Sequence, residues 1–434
     1  MKKSVWSDSV VLPEYDKLQG EIKTDVLVIG GGMTGILCAK TLKDAGVDCV
    51  LVEGGKIASG ITKNTTAKIT SQHGLIYNKI LKDYGKEKSK MYLDANNKAL
   101  AHYEKLCLNI DCDYETKDAY TYSLNNRMKI EEEVEAVNSL GYQAQFVNKT
   151  ELPFKISAAI KFQNQAQFNP LKFISQIVKE LNIYEDTFIY DITPDTAISK
   201  NGRIRAKQII VATHFPFINK HGNYFLKLYQ HRSYVTAFKG IEQMNGMYVD
   251  EDKKGLSFRS YKDLLLIGGG GHRTGKQGGT WKEIDGFSQK YYPDAQVKYQ
   301  WATQDCESLD GIPYIGQYSK KTPNLYVATG FNKWGMTSSM VASQILTDII
   351  LGKNNDTKEV FSPQRSILKP QLLVNGFETT KNLLMPTIKR CPHLGCALKW
   401  NKAEHTWDCP CHGSRFEEDG KLIDNPATGD ANIK

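Results

Sequence analysis

Four residues near the carboxy-terminal end pose the first chemical question. Cys391-x-His393 and Cys409-x-x-His412, with 15 residues between the pairs, bring two thiolates and two imidazoles from two short segments. Such a donor set suits a metal. Zinc accepts two Cys and two His, and so does a 2Fe-2S cluster in which the cysteines hold one iron and the histidines the other. The Cys-x-His spacing is not that of a zinc finger, and this favours the cluster. Cys396 and Cys411 fall in the same segments, so four of the nine cysteines lie within 21 residues while Cys38, Cys49, Cys107, Cys112 and Cys306 are scattered. Thiols concentrated in this way point to a metal or redox site more than to a framework of structural disulfides.

A second constellation lies near the start. Gly30, Gly32 and Gly35 form Gly-x-Gly-x-x-Gly between the apolar run DVLVI and the helical stretch ILCAKTLKDA, which Gly46 ends; the run VDCVLVE follows and closes on Glu53. Two glycines let the backbone approach a pyrophosphate, the third lets helix and strand pack closely, and an acid at the end of the second strand reaches a ribose hydroxyl. The glycine run LLLIGGGGHRTG (264–275) offers no register for the same motif and no good helix after it, so one dinucleotide is expected, not two. Helical periodicity covers two stretches within 80–140 and one at 170–182, and strand-like runs lie at 208–212, 231–238 and 264–267. Cys38 and Cys49 sit on the first helix and second strand, and read as core. Cys107 and Cys112 have no histidine pair beside them, and nothing in the spacing of Cys306 supports covalent attachment of a cofactor.

With SGITKNTTAKITSQHG after Glu53, KQIIVATHFPF at 207–217, DGIPYIG, and YVATGFNKWGMT, residues 22–352 resemble flavin-dependent amine and amino-acid oxidoreductases of the D-amino-acid oxidase type. The resemblance implies FAD, held by Gly30, Gly32, Gly35 and Glu53, with Thr65 and Thr66 near the pyrophosphate or ring. It places Ala212 and Thr213 beside the dinucleotide, and Gly330, Gly335, Met336 and Thr337 near the isoalloxazine, where a helix N-terminus faces the flavin. It implies a mixed α/β fold, a Rossmann-like FAD domain (about 22–80, 165–220 and 300–352) with an inserted antiparallel-sheet substrate domain. It also implies removal of a hydride from a carbon beside nitrogen in a small-molecule substrate. Lys68, His73, Arg259 and His272 are the candidates to face that substrate, though each reads equally well as a satisfied polar residue, and the arginine pair usual in amino-acid oxidases has no secure place.

The carboxy-terminal motif resembles the disulfide-bearing Rieske proteins of respiratory type. That resemblance implies cluster ligands Cys391, His393, Cys409 and His412, a disulfide between Cys396 and Cys411, and Ser414 donating to a bridging sulfide. Phe416 stands where high-potential members carry a Tyr, implying a moderate potential. The small all-β Rieske domain is expected at 385–434 after a linker at 353–384. It is short, and a cluster with a disulfide would serve as its staple.

Composition is consistent with this organisation. Hydrophobic residues at 41% and charged residues at 24%, with 22 Tyr and 16 Phe, exclude a disordered chain, and no apolar run is long enough for a membrane span or signal peptide. A cytoplasmic location is expected. The net charge of +8 includes no long basic block, arguing against nucleic acid. The expectation is an FAD-dependent oxidoreductase that passes electrons through the cluster to an external acceptor, a protein or a quinone. The alternatives are a pyridine-nucleotide-driven reductase, which needs a second nucleotide motif, and a non-enzymatic redox sensor. A Rieske oxygenase is disfavoured by domain order.

Overall fold

The computed structural model of the chain describes residues 3–433 and is organised around three sheets. The first has eight strands, with β1 (Gly20–Ile29) and β2 (Cys49–Val52) joined by helix α1 (Met33–Asp44). Strand Asn182–Tyr184 lies parallel beside β2; on the other side β1 pairs in parallel with Gly202–Val211, which pairs in parallel with Leu325–Thr329. Every residue of Val26–Ile29 is buried, with Val26 and Val28 in one apolar cluster and Leu27 and Ile29 in another. This is what a parallel sheet covered on both faces requires. Helix α1 and the long helix Gly335–Ile350 lie on one face, tied by a Thr34–Ser339 hydroxyl pair at 2.9 Å.

The second sheet has nine strands, supplied by two excursions of the chain, residues 68–167 and 228–308. This sheet, expected as the substrate domain, is therefore assembled from two insertions, and the strand Gln296–Ser308, most of it expected within the FAD-binding part, belongs to it. One pairing, Gly246–Asp250 with Glu115–Ser123, is parallel, and that last strand separates the helices Ile76–Cys107 and Arg127–Ser139. The glycine run at 264–275 forms strand Leu264–Arg273 rather than a nucleotide turn. The third sheet has four short antiparallel strands between Lys399 and Asp424, with Cys391, Cys396, Cys409, Cys411 and Phe416 in its small core.

The segment expected as a linker, 353–384, is folded. It carries helices Lys358–Phe361 and Pro370–Leu383, and Phe361 stacks on Tyr92 with ring centroids 5.5 Å apart. Between the helices, Arg365 grips both oxygens of buried Asp310 at 2.7 and 2.8 Å and donates to Pro313 O at 3.0 Å. Burial pushes the Asp310 carboxyl up, but the Arg365 charge and hydrogen bonds, with Tyr84, pull it well below the usual range. A carboxyl depressed by folding stabilises the protein above its unfolded pKa of ~3.9 and loses that contribution as pH falls further. Arg365→Ala leaves Asp310 buried and unpaired, and urea unfolding at neutral pH should show a loss of about 3–5 kcal/mol that shrinks on acidification below pH ~4.

Candidate functional site

A cavity of about 930 Å³ opens at the carboxyl ends of β1 and β2 and runs between the first two sheets. Gly30, Gly32 and Glu53 line one end. Gly35 lies just behind them, where any Cβ would fall 1.8 Å from Gly30 O, so the third glycine is demanded by helix–strand packing. Both Glu53 oxygens accept backbone N–H groups, from Gly31 at 2.7 Å and Gly55 at 2.9 Å, and burial raises its pKa against the lowering effect of these bonds. Gly335 and Met336 bring a second helix N-terminus to the cavity, with Ala212, Thr213 and Gly330 beside it. Thr337 lies one residue deeper, donating to Thr70 O at 2.8 Å.

Thr65 and Thr66 line the middle of the cavity on a segment whose carbonyls are held one after another. Trp301 donates to Asn64 O at 2.9 Å, Trp6 to Thr65 O at 2.7 Å, and Arg259 to the carbonyls of Thr66 and Ala67. Arg259 was expected to face the substrate. It is fully buried behind this segment and does not line the cavity; its Nη1 is committed to these two carbonyls, while Nε and Nη2 have no hydrogen-bond partner among the described residues. His272 is likewise displaced: its Nδ1 donates to Arg273 O and its Nε2 accepts from Tyr234, on the side of the sheet that meets the carboxy-terminal domain.

Lys68 and His73 do line the cavity. Both His73 nitrogens are engaged, Nδ1 accepting from Tyr92 at 2.6 Å and Nε2 donating to Thr70 O at 2.8 Å, and burial lowers its pKa to about 3. It is a neutral brace between this segment and Thr337. Lys68 donates to Thr66 Oγ1 at 3.2 Å, and burial, helped by the Arg259 charge, lowers its pKa to about 7. The second sheet contributes a polar wall that sequence reasoning missed, with Tyr229, Lys253, Asp305, Glu307 and nearby Lys333. Burial pushes Glu307 up, but Lys333 and Lys253 bring it down to about 2; burial raises Asp305 to about 6. Among the described residues no arginine lines the cavity. Cys306 also borders it, its thiol pushed up to about 12 by burial.

In the third sheet, the loops bearing Cys391–His393 and Cys409–His412 face each other, with the imidazole centroids 4.9 Å apart. Cys396 and Cys411 form the expected disulfide, with Cα atoms 6.6 Å apart. Cys409 Sγ lies within 4.8 Å of both disulfide sulfurs, but those two sulfurs are already bonded, leaving Cys391 and Cys409 as the free thiols. His393 Nε2 donates to Asn219 Oδ1 at 2.9 Å, which leaves a lone pair on Nδ1, and Nδ1 has no partner. Neither His412 nitrogen has one, and burial holds both imidazoles neutral. Buried, unpartnered, neutral imidazole nitrogens opposite two free thiols fit the donor set of a 2Fe-2S cluster. Ser414 is buried beside them and accepts from Ala427 N at 2.9 Å.

The rest of the molecule supplies the support this small domain lacks. Four consecutive carbonyls of the second ligand loop are each captured by a side chain of the second sheet or its edge. Arg273 donates to Pro410 O at 3.1 Å and Cys411 O at 3.3 Å, Gln230 to His412 O at 3.0 Å, and Gln304 to Gly413 O at 2.9 Å. Phe215 sets its ring edge-on to both histidines at 6.4 and 6.1 Å, two residues after Thr213 in the cavity wall. Asn425 crosses back, donating to Thr213 O at 2.7 Å and Phe215 O at 2.8 Å. His214, also in the wall, donates to Gln230 at 3.2 Å.

A dinucleotide cavity facing two helix N-termini, joined to a domain with a two-Cys, two-His cluster site, defines a flavoprotein oxidoreductase with an appended Rieske domain. The comparisons agree. The model of the DAO family, "FAD dependent oxidoreductase", matches residues 25–349, and that of the Rieske [2Fe-2S] domain matches residues 353–433. The chain belongs to the DAO family of FAD-dependent oxidoreductases and carries a carboxy-terminal Rieske domain. Its amino-terminal module binds FAD and its tail a 2Fe-2S cluster. It is 33% identical to the putative Rieske 2Fe-2S iron-sulfur protein YhfW of Bacillus subtilis, over 97% of this chain and 95% of that one. Its tail is 54% identical over 56 residues to the cytochrome b6-f complex iron-sulfur subunit of Nostoc punctiforme, covering 13% of this chain and 30% of that one. Glycine oxidase from Geobacillus kaustophilus has the same fold over 80% of this chain and 99% of its own (TM-score 0.68, 17% identity).

Cys391→Ser should abolish the cluster's iron and its EPR signal while bound flavin remains. Loss of both cofactors together would show that the tail is integral to the flavin module. Gln230→Leu, which leaves all four ligands in place, should lower iron content per flavin, because His412 O is then left without its donor.

Proposed function

We propose that this protein oxidises a small amine-bearing substrate at the carbon beside nitrogen and passes the electrons through its own cluster to an external acceptor. Bound FAD supplies a two-electron oxidant, and a 2Fe-2S cluster a one-electron carrier. The observation that carries the reading is the docking of the cluster-ligand histidines against the segment that continues from the cavity-wall residues Thr213 and His214, with Phe215 edge-on to both rings and Asn219 bonded to one. The histidine end of the cluster site faces the flavin module, and this supports a route for the electrons within one chain.

The chain's own residues support an amine. No arginine among the described residues lines the cavity to clamp an α-carboxylate, and with Glu307 already paired to Lys253, Asp305 is the acid on the sheet wall left to meet a cationic substrate. Lys68, with its pKa near 7, is the group able to hold a proton taken from a substrate ammonium, because an amine must be neutral to release hydride from its neighbouring carbon. Thr66 orients it, and Arg259 fixes Thr66 from behind.

Anaerobic mixing with a panel of primary and secondary amines should bleach the flavin, faster than α-amino acids of similar size, with a rate that rises as pH passes through about 7. Lys68→Met should lower that rate by ~10²–10⁴-fold and remove the pH dependence while flavin content stays unchanged. Bleaching by a reduced pyridine nucleotide but by no amine or amino acid would overturn the reading.

A further inference from the structure

Helix Pro370–Leu383 is turned inside out. Asn375, Glu378 and Asn382 are its buried residues. Leu373 and Phe377, spaced four apart, and Leu384, seven residues further on at the helix cap, form an outward stripe with exposures of 78%, 67% and 78%. Leu368 before the helix and Ile388 after it are also exposed, at 82% and 75%. The inward polar groups are committed: Asn375 accepts from Arg273 at 2.9 Å, Glu378 pairs with Lys276, and Asn382 O accepts from Ala397 N at 2.9 Å. Turning the apolar side inward would break all three, so the orientation is built in. An exposed apolar helix face of this kind marks an interaction surface.

Charge says what covers it. Residues 362–403 contain seven basic residues and one acid; Glu378 is buried in its ion pair with Lys276 and Arg365 in its ion pair with Asp310, which leaves six basic residues and no free acid. Of these, Lys369 lies 3.5 Å from Asp83, and Lys381 and Lys389 have no acidic partner within ion-pair distance among the described residues. Lys369, Lys381 and Lys389 bracket the stripe in sequence. Leucine and phenylalanine on the outward side of a helix, flanked by lysine and without exposed acid, match the chemistry of an anionic lipid surface. No helix of the described residues is long and apolar enough to cross a membrane, so the helix would lie in the interface.

The end of the helix abuts the first ligand loop. Arg390 donates to Leu383 O at 3.1 Å and to Gly395 O at 2.7 Å, and Leu394, beside His393, is itself exposed. We propose that the segment 368–388 seats this protein on an anionic bilayer, with the loop Cys391–Cys396 next to the headgroups. This docking is independent of the identity of the substrate.

The test uses holoprotein carrying both cofactors and sedimentation with vesicles of phosphatidylcholine alone or with about one third phosphatidylglycerol. The proposal predicts pelleting with the anionic vesicles, little with the neutral ones, and release at high salt. Leu373→Ser/Phe377→Ser should weaken binding at least ~10-fold, and Lys381→Glu/Lys389→Glu should weaken it independently, with flavin content and cluster EPR signal unchanged in both. Absence of binding to either vesicle, or variants that bind like the parent, would overturn it. So would a lipid-free dimer that the apolar variant converts to monomer, since the stripe would then join two copies of this chain.

Discussion

The capture of four successive carbonyls, Pro410 to Gly413, by Arg273, Gln230 and Gln304 is the constraint on which the joined architecture depends. The third sheet has four strands of two or three residues each, too little to immobilise two ligand loops unaided. By borrowing donors from the second sheet, the loop exchanges water for fixed partners, and the histidines acquire one orientation. The disulfide between Cys396 and Cys411 then ties the other ligand loop to the same position. A buried charge network completes the join: Glu404 takes Arg232 from the second sheet and Arg415 from its own, and Arg415 also holds Asp408 at 3.1 Å and Asp424 at 3.0 Å. Buried networks of this kind leave one docking register satisfied and penalise others.

The same device recurs at the flavin cavity. Trp301, Trp6 and Arg259 hold the carbonyls of Asn64 to Ala67 as Arg273, Gln230 and Gln304 hold those of the cluster loop. In both places a backbone segment that must present its other side to a cofactor is anchored from behind. The two anchored segments meet through a short bridge, Thr213 to Phe215, which belongs to the cavity wall at one end and touches the cluster histidines at the other. The positive potential of two helix N-termini favours a negatively charged dinucleotide and, on electron uptake, the added charge on its ring.

Local spacing made much of this legible in the sequence. Gly30, Gly32, Gly35 and Glu53 declare themselves within 24 residues, and the cluster ligands within 22, because both sites are built from short loops. The clamp was not legible, since Gln230 and Gln304 reach their carbonyls across 182 and 109 residues and a lone glutamine on a strand has no spacing to read. The run LLLIGGGGHRTG drew attention for its glycines, yet its contribution is Arg273 at the end of a strand. Arg259 and His272 have the right chemistry and sit in the expected domain, but neither lines the cavity, Arg259 Nη1 and His272 Nδ1 being bonded to backbone carbonyls, whereas Lys68 and His73 fall on its wall. Residues 353–384 read as a linker because the apolar positions of the second helix face out, against the usual pattern.

The central claim is that the cluster is fed from the flavin within one chain. The direct measurement is EPR on rapidly frozen samples after anaerobic photoreduction of the bound flavin, repeated across a series of protein concentrations. If Phe215 and the docked histidines make the route internal, the reduced-cluster signal should rise as flavin absorbance recovers, with a first-order rate constant independent of concentration. A rate constant proportional to protein concentration, or a cluster that stays oxidised beside reduced flavin, would contradict the account.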